Sequence, residues 1–337
     1  MISQEPELRP GPPWIMDEMI DEQLDLPARI AKSGSATLLG GVVDEAASAG
    51  GPIIFCGCGT SEHAGRAAAA ILRQARPGVE VRACDAFEVR LDPPSGLVIG
   101  ISHSAETSAT LEAVHNAQEG GARSLLVTAA PDLAPAGMMV IPTPVYDQSW
   151  CHTVAYTSPI LTVALTSGIE HEALRSVIQQ ELNAREQRAQ DATILRGCDR
   201  FLVVGSGTDE ITAAELALKI EEAAHIPCTP LGAEKVLHGH LPAATAGGGL
   251  ILLRFDGRNR DQRDQRADDV MAACGVLDMA QVALRSDVQT VTDALLAGAV
   301  AAQLLTVEIA TALGINPDLI RREEDLYREV AEVAKAG

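Results

Sequence analysis

Apolar positions recur at helical spacing over residues 15–30 and again over 35–49, where Gly50-Gly51-Pro52 stops the pattern. The period then changes. Ile53-Ile54-Phe55-Cys56 is a short continuous apolar run, followed by Gly57-Cys58-Gly59-Thr60-Ser61 and an alanine-rich helix over 62–73. Further short apolar runs lie at 97–102, 124–128 and 138–142, with helix-like segments between them. Strands separated by helices of this length predict a parallel sheet covered on both faces.

The second half repeats the first. Phe201-Leu202-Val203-Val204-Gly205-Ser206-Gly207-Thr208-Asp209-Glu210 restates the segment that ends Gly57-Cys58-Gly59-Thr60-Ser61-Glu62. Gly57/Gly205, Gly59/Gly207, Thr60/Thr208 and Glu62/Glu210 all keep one offset of 148 residues, each copy reading strand, Gly-x-Gly-Thr, helix. Apolar runs at 249–255, 275–279 and 288–291 continue the second copy. The expectation is an α/β protein of two doubly wound parallel-sheet domains in tandem, flavodoxin-like and three-layered (α/β/α). Helices over 1–50 precede a first domain over 51–168; a helical linker over 169–198 leads to a second domain over 199–315 and a tail over 316–337.

Composition narrows the partners. Among 337 residues, Lys and Arg number 26 against 46 Asp and Glu, a formal charge of −20 that leaves no basic surface for nucleic acid or anionic membrane. Aromatics at 3% supply no stacking platform for single strands. The longest apolar stretch, 294–307, is short for a bilayer span and is bracketed by Asp293 and Glu308, so it reads as a buried helix. Seven cysteines show no disulfide spacing, and Met1-Ile2-Ser3-Gln4-Glu5 lacks the features of a secretion signal. A soluble cytoplasmic protein with reduced thiols is expected.

The turns carry candidate chemistry. A Gly-x-Gly turn that opens a helix offers unpaired amides and the positive end of the dipole to an anion. Neither copy is a dinucleotide fingerprint, because Glu62 and Glu210 stand where the third glycine belongs, and neither is followed by Gly-Lys-Ser/Thr; no nucleotide cofactor is expected. A second turn, Ser102-His103-Ser104-Ala105-Glu106-Thr107-Ser108, crowds hydroxyls at the start of another helix. Capping would need one of them, Ser104, with Thr107 in the first turn. Hydroxyls in two turns, both after strand ends, point instead to a phosphate-like ligand. On the helix opening at Thr208, Glu215, Lys219 and Glu222 fall at i, i+4 and i+7, one stripe of an otherwise apolar helix; the bland alternative is a solvated ion-pair face. His238 and His240 lack a third ligand at metal spacing, so no metal is expected.

Taken together, these motifs resemble the tandem sugar isomerase (SIS) domain family, in particular the isomerase half of glutamine–fructose-6-phosphate aminotransferases. The family turns read Cys-Gly-Thr-Ser and Ser-Gln-Ser-Gly-Glu-Thr; here they are Cys58-Gly59-Thr60-Ser61 and Ser102-His103-Ser104-Ala105-Glu106-Thr107. The segment 215–239 is similar to the family's catalytic stretch. The resemblance implies that Cys58, Gly59, Thr60, Ser61, Ser102, His103, Ser104 and Thr107 hold a sugar phosphate. It makes Glu222 the acid/base between C1 and C2 of an open-chain sugar, Lys219 its electrostatic partner, and His238 the ring-opening group, contributed in the family by a neighbouring subunit. A homodimer with a shared site is therefore expected.

The sequence also departs from the family. Ala105 replaces a glycine and His103 a glutamine; His152 stands at a substrate-contacting serine position. Asn316-Pro317-Asp318-Leu319-Ile320-Arg321-Arg322 has no lysine where the synthases carry their Schiff-base lysine, no cysteine stands near residue 1, and no N-terminal glutaminase domain is expected. The expectation is an aldose–ketose isomerase or amino-sugar-phosphate deaminase acting through an enediol or enolamine. A fructosamine-6-phosphate deglycase and a non-catalytic phosphosugar-binding regulator are the alternatives.

Overall fold

The computed structural model describes residues 5–335, so Met1–Gln4, read above for a signal, lie outside the described residues. In chain order the elements begin with α1 (Ile15–Glu22), α2 (Leu26–Ser33) and α3 (Ser35–Ser48). The helical pattern over 15–30 breaks between α1 and α2, where Pro27 fits the first turn of the new helix. There follow β1 (Ile53–Gly57), α4 (Thr60–Ala75), β2 (Val81–Asp85), α5 (Ala86–Leu91), β3 (Leu97–Ile101), α6 (Ser108–Glu119), β4 (Arg123–Thr128), β5 (Val140–Pro142) and α7 (Val154–Thr166). Two helices occupy the expected linker, α8 (His171–Leu182) and α9 (Arg185–Ile194). The remainder is β6 (Arg200–Gly205), α10 (Asp209–Ala224), β7 (Cys228–Gly232), the single turn α11 (Ala233–Lys235), β8 (Gly248–Arg254), α12 (Arg260–Val276), β9 (Ala280–Arg285), α13 (Val291–Leu313) and α14 (Asp325–Lys335).

The chain forms two compact units. One comprises residues 22–147, 152–176 and 322–337, and holds a five-stranded parallel sheet of order β2-β1-β3-β4-β5. Ile54, Cys56 and Val98 face α5 and α6, packing on Ala86, Val89, Ala113 and Ala117. Phe55 points the other way, onto Gly65 of α4, where an added Cβ would stand 3.2 Å from it. The alternation of a pleated strand thus sends successive residues into two helical layers.

The other unit comprises residues 1–21, 148–151 and 177–321, with a four-stranded parallel sheet of order β7-β6-β8-β9. Phe201, Val203, Ile251 and Leu253 pack against α9, α10 and α13, while Val204, Leu250 and Leu252 pack against α12. Helix α13 contains the long apolar stretch. It is long and apolar enough to cross a bilayer, yet 89% of its apolar window is buried within the fold, as a core helix should be. Both sheets place the first strand between the second and third, which opens a crevice at the strands' C-terminal ends.

Two strand expectations are corrected. The run 275–279 is the end of α12 and the turn after it; the strand is β9, whose polar outward residues hid its alternation. The run 288–291 is the loop entering α13 and that helix's first residue, and Val288 plugs the core beneath it.

Candidate functional site

The residues singled out in the sequence fall into two sets. Those of the glycine and hydroxyl turns, with His152, belong to the five-stranded unit; Glu215, Lys219, Glu222 and His238 belong to the four-stranded one.

In the five-stranded unit, Cys58-Gly59-Thr60-Ser61 joins β1 to α4. A side chain at Gly57 would bring its Cβ within 2.7 Å of the Ser61 backbone, so glycine is what lets the helix start so close to the strand end. Gly59 takes φ +55° and ψ −124°, a region that side-chain-bearing residues avoid. No side chain caps α4; in its first turn the Ser61 amide donates to Cys58 O at 3.1 Å and the His63 amide to Gly59 O at 3.0 Å. Cys58 Sγ lies 3.8 Å from Thr110 Oγ1, and burial pushes its thiol pKa up, so it is a neutral lining group.

The hydroxyl turn joins β3 to α6. The helix starts at Ser108 with Thr107 as its N-cap residue and no side-chain capping bond, so Ser104 is not a cap. Ser102 is 1% exposed and contacts Thr107 Oγ1 through its hydroxyl at 3.3 Å. Thr60 is also buried, whereas Ser61 and Ser104 are half-buried and Thr107 is exposed. The accessible hydroxyls of the two turns are therefore Ser61, Ser104, Thr107 and Ser108. Ala105 holds φ +55° in the left-handed region, at the position where the resembled motif has glycine.

His103 turns inward. Its Nε2 accepts the Asp147 amide at 2.9 Å, and its ring lies 4.5 Å from Tyr146 and 5.2 Å from His152, centroid to centroid. Burial lowers its pKa to about 4, so at neutral pH it is an uncharged ring with its proton on Nδ1. Asp147 in turn accepts the amides of Thr153 at 2.6 Å and Ala155 at 3.2 Å, holding the start of α7 and the loop that carries His152. Tyr146 and Asp147 were not found by sequence reasoning. They reach His103 across more than forty residues of chain, with no motif or period to link them.

The second glycine turn has the same backbone design: a Cβ on Gly205 would stand 2.4 Å from the Asp209 backbone. Its anion position, however, is already filled. Asp256 Oδ2 accepts Thr208 N at 2.9 Å and Thr208 Oγ1 at 3.0 Å, Arg258 Nε donates to its Oδ1 at 2.9 Å, and Arg263 lies 3.8 Å away. Burial opposes the charge, but Arg258, the Thr208 and Arg258 amides and Arg263 outweigh it, holding the carboxyl well below the usual range. Sheet register shows what replaced what. Ile53 pairs with Leu97 as Phe201 pairs with Gly249, and seven residues beyond these lie Ser104 and Asp256 respectively. One copy offers a hydroxyl where the other inserts its own carboxylate.

On α10 the predicted stripe is real and is not a solvated face. Lys219 is fully buried, and its Nζ contacts Glu222 Oε2 and lies 3.8 Å from Glu215 Oε1. Glu215 is 1% exposed and Glu222 24%. Burial would lower the Lys219 pKa; Glu222, then Cys151 and Glu215, more than offset it and hold the ammonium charged. Glu222 is the member that reaches solvent. His238 sits past α11 in an irregular turn, its side chain 73% exposed and its Nε2 3.1 Å from Glu234 Oε2. In the tail, Asp318 is fully buried and accepts the amides of Ile15 at 3.0 Å and Met16 at 2.8 Å, capping α1.

Fold and turns together define an α/β protein with parallel sheets and a hydroxyl-lined turn at its strand ends. No family model matches the chain. Its sequence is similar to glutamine–fructose-6-phosphate aminotransferases: 27% identical over 228 residues to that of Symbiobacterium thermophilum, covering 60% of this chain and 37% of the relative. For the one from Thermococcus kodakarensis, identity is 26% over 337 residues, covering 89% and 56%. The chain thus spans only part of the curated relatives that it matches. In fold it is similar to the C-terminal domain of glucosamine-fructose-6-phosphate aminotransferase from Francisella tularensis (TM-score 0.74, 18% identity, 93% of this chain and 99% of that one). It is also similar to tagatose-6-phosphate ketose/aldose isomerase from Escherichia coli (TM-score 0.78, 16% identity, 92% and 98%) and glucosamine-6-phosphate deaminase from Thermotoga maritima (TM-score 0.72, 16% identity, 90% and 96%). The resemblance to the sugar isomerase domain family drawn from the turn motifs holds in sequence and in fold.

Proposed function

We propose that the protein binds a phosphorylated sugar or amino sugar and moves a proton between its C1 and C2, as an aldose–ketose isomerase or amino-sugar-phosphate deaminase. The observation that carries this reading is the Glu215–Lys219–Glu222 cluster. A fully buried ammonium holds one buried carboxylate and one that reaches solvent, on a helix that is otherwise apolar. Desolvating such a group has no stability rationale when an apolar residue of similar volume would serve as well. A fixed cation beside an accessible carboxylate is what an enediol mechanism needs: a base to take the proton and a charge to stabilise the oxyanion.

In this reading the phosphate is held at the positive end of the α4 dipole with the hydroxyls of Ser61, Ser104 and Thr107, and Glu222 is the acid/base. The uncharged His103 ring contacts the sugar together with His152, and Cys58 lines the site. His238, exposed as it is, acts on the ring oxygen from one subunit of a homodimer toward another. The relatives' names supply the substrate class, and the turn with solvent-accessible hydroxyls supplies its anchor. Ser104→Ala with Thr107→Ala tests the anchor: phosphosugar affinity measured by calorimetry is expected to fall at least tenfold with the melting temperature unchanged, since about 1.5–3 kcal/mol is lost with each such bond to a charged group. Unchanged affinity for the best-binding phosphosugar rejects the anchor.

A further inference from the structure

The four-stranded unit contains a cleft of about 480 Å³ that the proposed reaction does not use. Arg188 of α9, Arg260 at the start of α12 and Arg285 at the end of β9 line it, facing two carboxylates, Glu181 and Asp287. In a chain of net charge −20, three guanidinium groups converging on one cleft call for a reason.

Arg188 makes the case. Its residue is 6% exposed, yet Nε and Nη1 have no hydrogen-bond acceptor. Nη1 lies 3.1 Å from Asp191 Oδ2 in an ion pair that is not aligned as a hydrogen bond. Buried guanidinium donors left unsatisfied are costly, and native folds seldom retain them without a ligand or water. The neighbouring acid does not supply the missing acceptor. Burial raises the Glu181 pKa, and its carboxyl is bonded to Ser286. Arg260 Nη2 donates to Val288 O at 3.1 Å, which fixes that side chain at the cleft, and Arg285 is exposed. The cleft also lies at the C-terminal end of β9, the side of a parallel sheet on which ligands bind, and its volume suits a small metabolite.

We propose that this cleft is a second anion site, taking a small phosphorylated metabolite with two or more negative charges on the forks of Arg188, Arg260 and Arg285. Planar guanidinium groups match phosphate oxygens two at a time, which suits this ligand class better than a monocarboxylate. The site shares no residue with the hydroxyl turn, so it stands whatever the fate of the proposed reaction.

Pyrophosphate is the probe, titrated by calorimetry into the full-length chain carrying Ser104→Ala and Thr107→Ala, which removes the hydroxyl turn's contribution. One pyrophosphate is expected to bind per chain, more weakly as salt rises. Adding Arg285→Ala, an exposed change that leaves folding intact, is expected to weaken binding at least tenfold, from lost charge-assisted bonds. Arg188→Gln is expected to weaken it further. If Arg188→Gln fails to fold, Arg285→Ala decides alone. Absence of pyrophosphate binding at millimolar concentration, or equal affinity with and without Arg285, overturns the proposal.

Discussion

Ala105 stores strain in the turn that offers its hydroxyls. A left-handed backbone costs an alanine about 1–2 kcal/mol relative to glycine, part of which glycine gives back through its freer unfolded chain. Ala105→Gly is therefore expected to stabilise the protein by about 0.5–1 kcal/mol in urea unfolding. A destabilised variant would mean that the buried methyl group matters more than the backbone. Its neighbour His103 sets an acid limit. Its ordinary pKa is near 6.5, and burial lowers it to about 4 in the folded protein. The unfolded chain therefore takes the proton first; the stability due to neutral His103 is complete above about pH 6.5 and is lost as pH falls toward 4. His103→Gln, which can still accept the Asp147 amide, is expected to lose less stability between pH 7 and pH 5 than the wild type. Denaturant midpoints at the two values measure the difference. Equal losses would mean that the ring is not the group that titrates.

At the scale of elements, two glycine turns of one backbone design have opposite fates, and one side chain decides between them. Asp256 satisfies Thr208 and two arginines, so Asp256→Ala leaves buried donors without their anion and is expected to destabilise the fold by about 2–4 kcal/mol. Phosphate should restore part of that loss by taking the vacated place, giving a larger thermal shift in the variant than in the wild type. Equal shifts would mean that the turn closes without an anion. The glycines of both turns were legible because close approach forbids any other residue, and the repeat followed from them. Asp256 was not, since its partner Thr208 lies forty-eight residues away. The same limit governed the strands. Central strands β1, β3 and β8 show as continuous apolar runs, buried almost throughout. Edge strands β2 and β7 are half polar, and Pro230 in β7 argues against a strand by itself; only pairing with β1 and β6 makes them legible. The α10 stripe was legible because one helix carries all three charges at fixed spacing. That Lys219 is wholly buried became clear only from the packing around it.

For the whole molecule, charge is the organising feature. Against 46 Asp and Glu the chain has 26 Lys and Arg, and several of these stand where an anion is held or invited: Arg258 and Arg263 on Asp256, Arg188 and Arg285 in the cleft, Lys219 beside Glu222. The central claim is that Glu222 works with Lys219 as the acid/base of a proton transfer. The direct test is turnover of hexose 6-phosphates and glucosamine 6-phosphate in heavy water, followed by proton NMR, with wild type and Glu222→Gln compared. The account predicts solvent deuterium at C1 or C2 of the wild-type product. It predicts a rate lower by about 10²–10⁴ in Glu222→Gln, with substrate affinity retained. Normal turnover by Glu222→Gln, or a wild-type product that never acquires solvent deuterium, would contradict it.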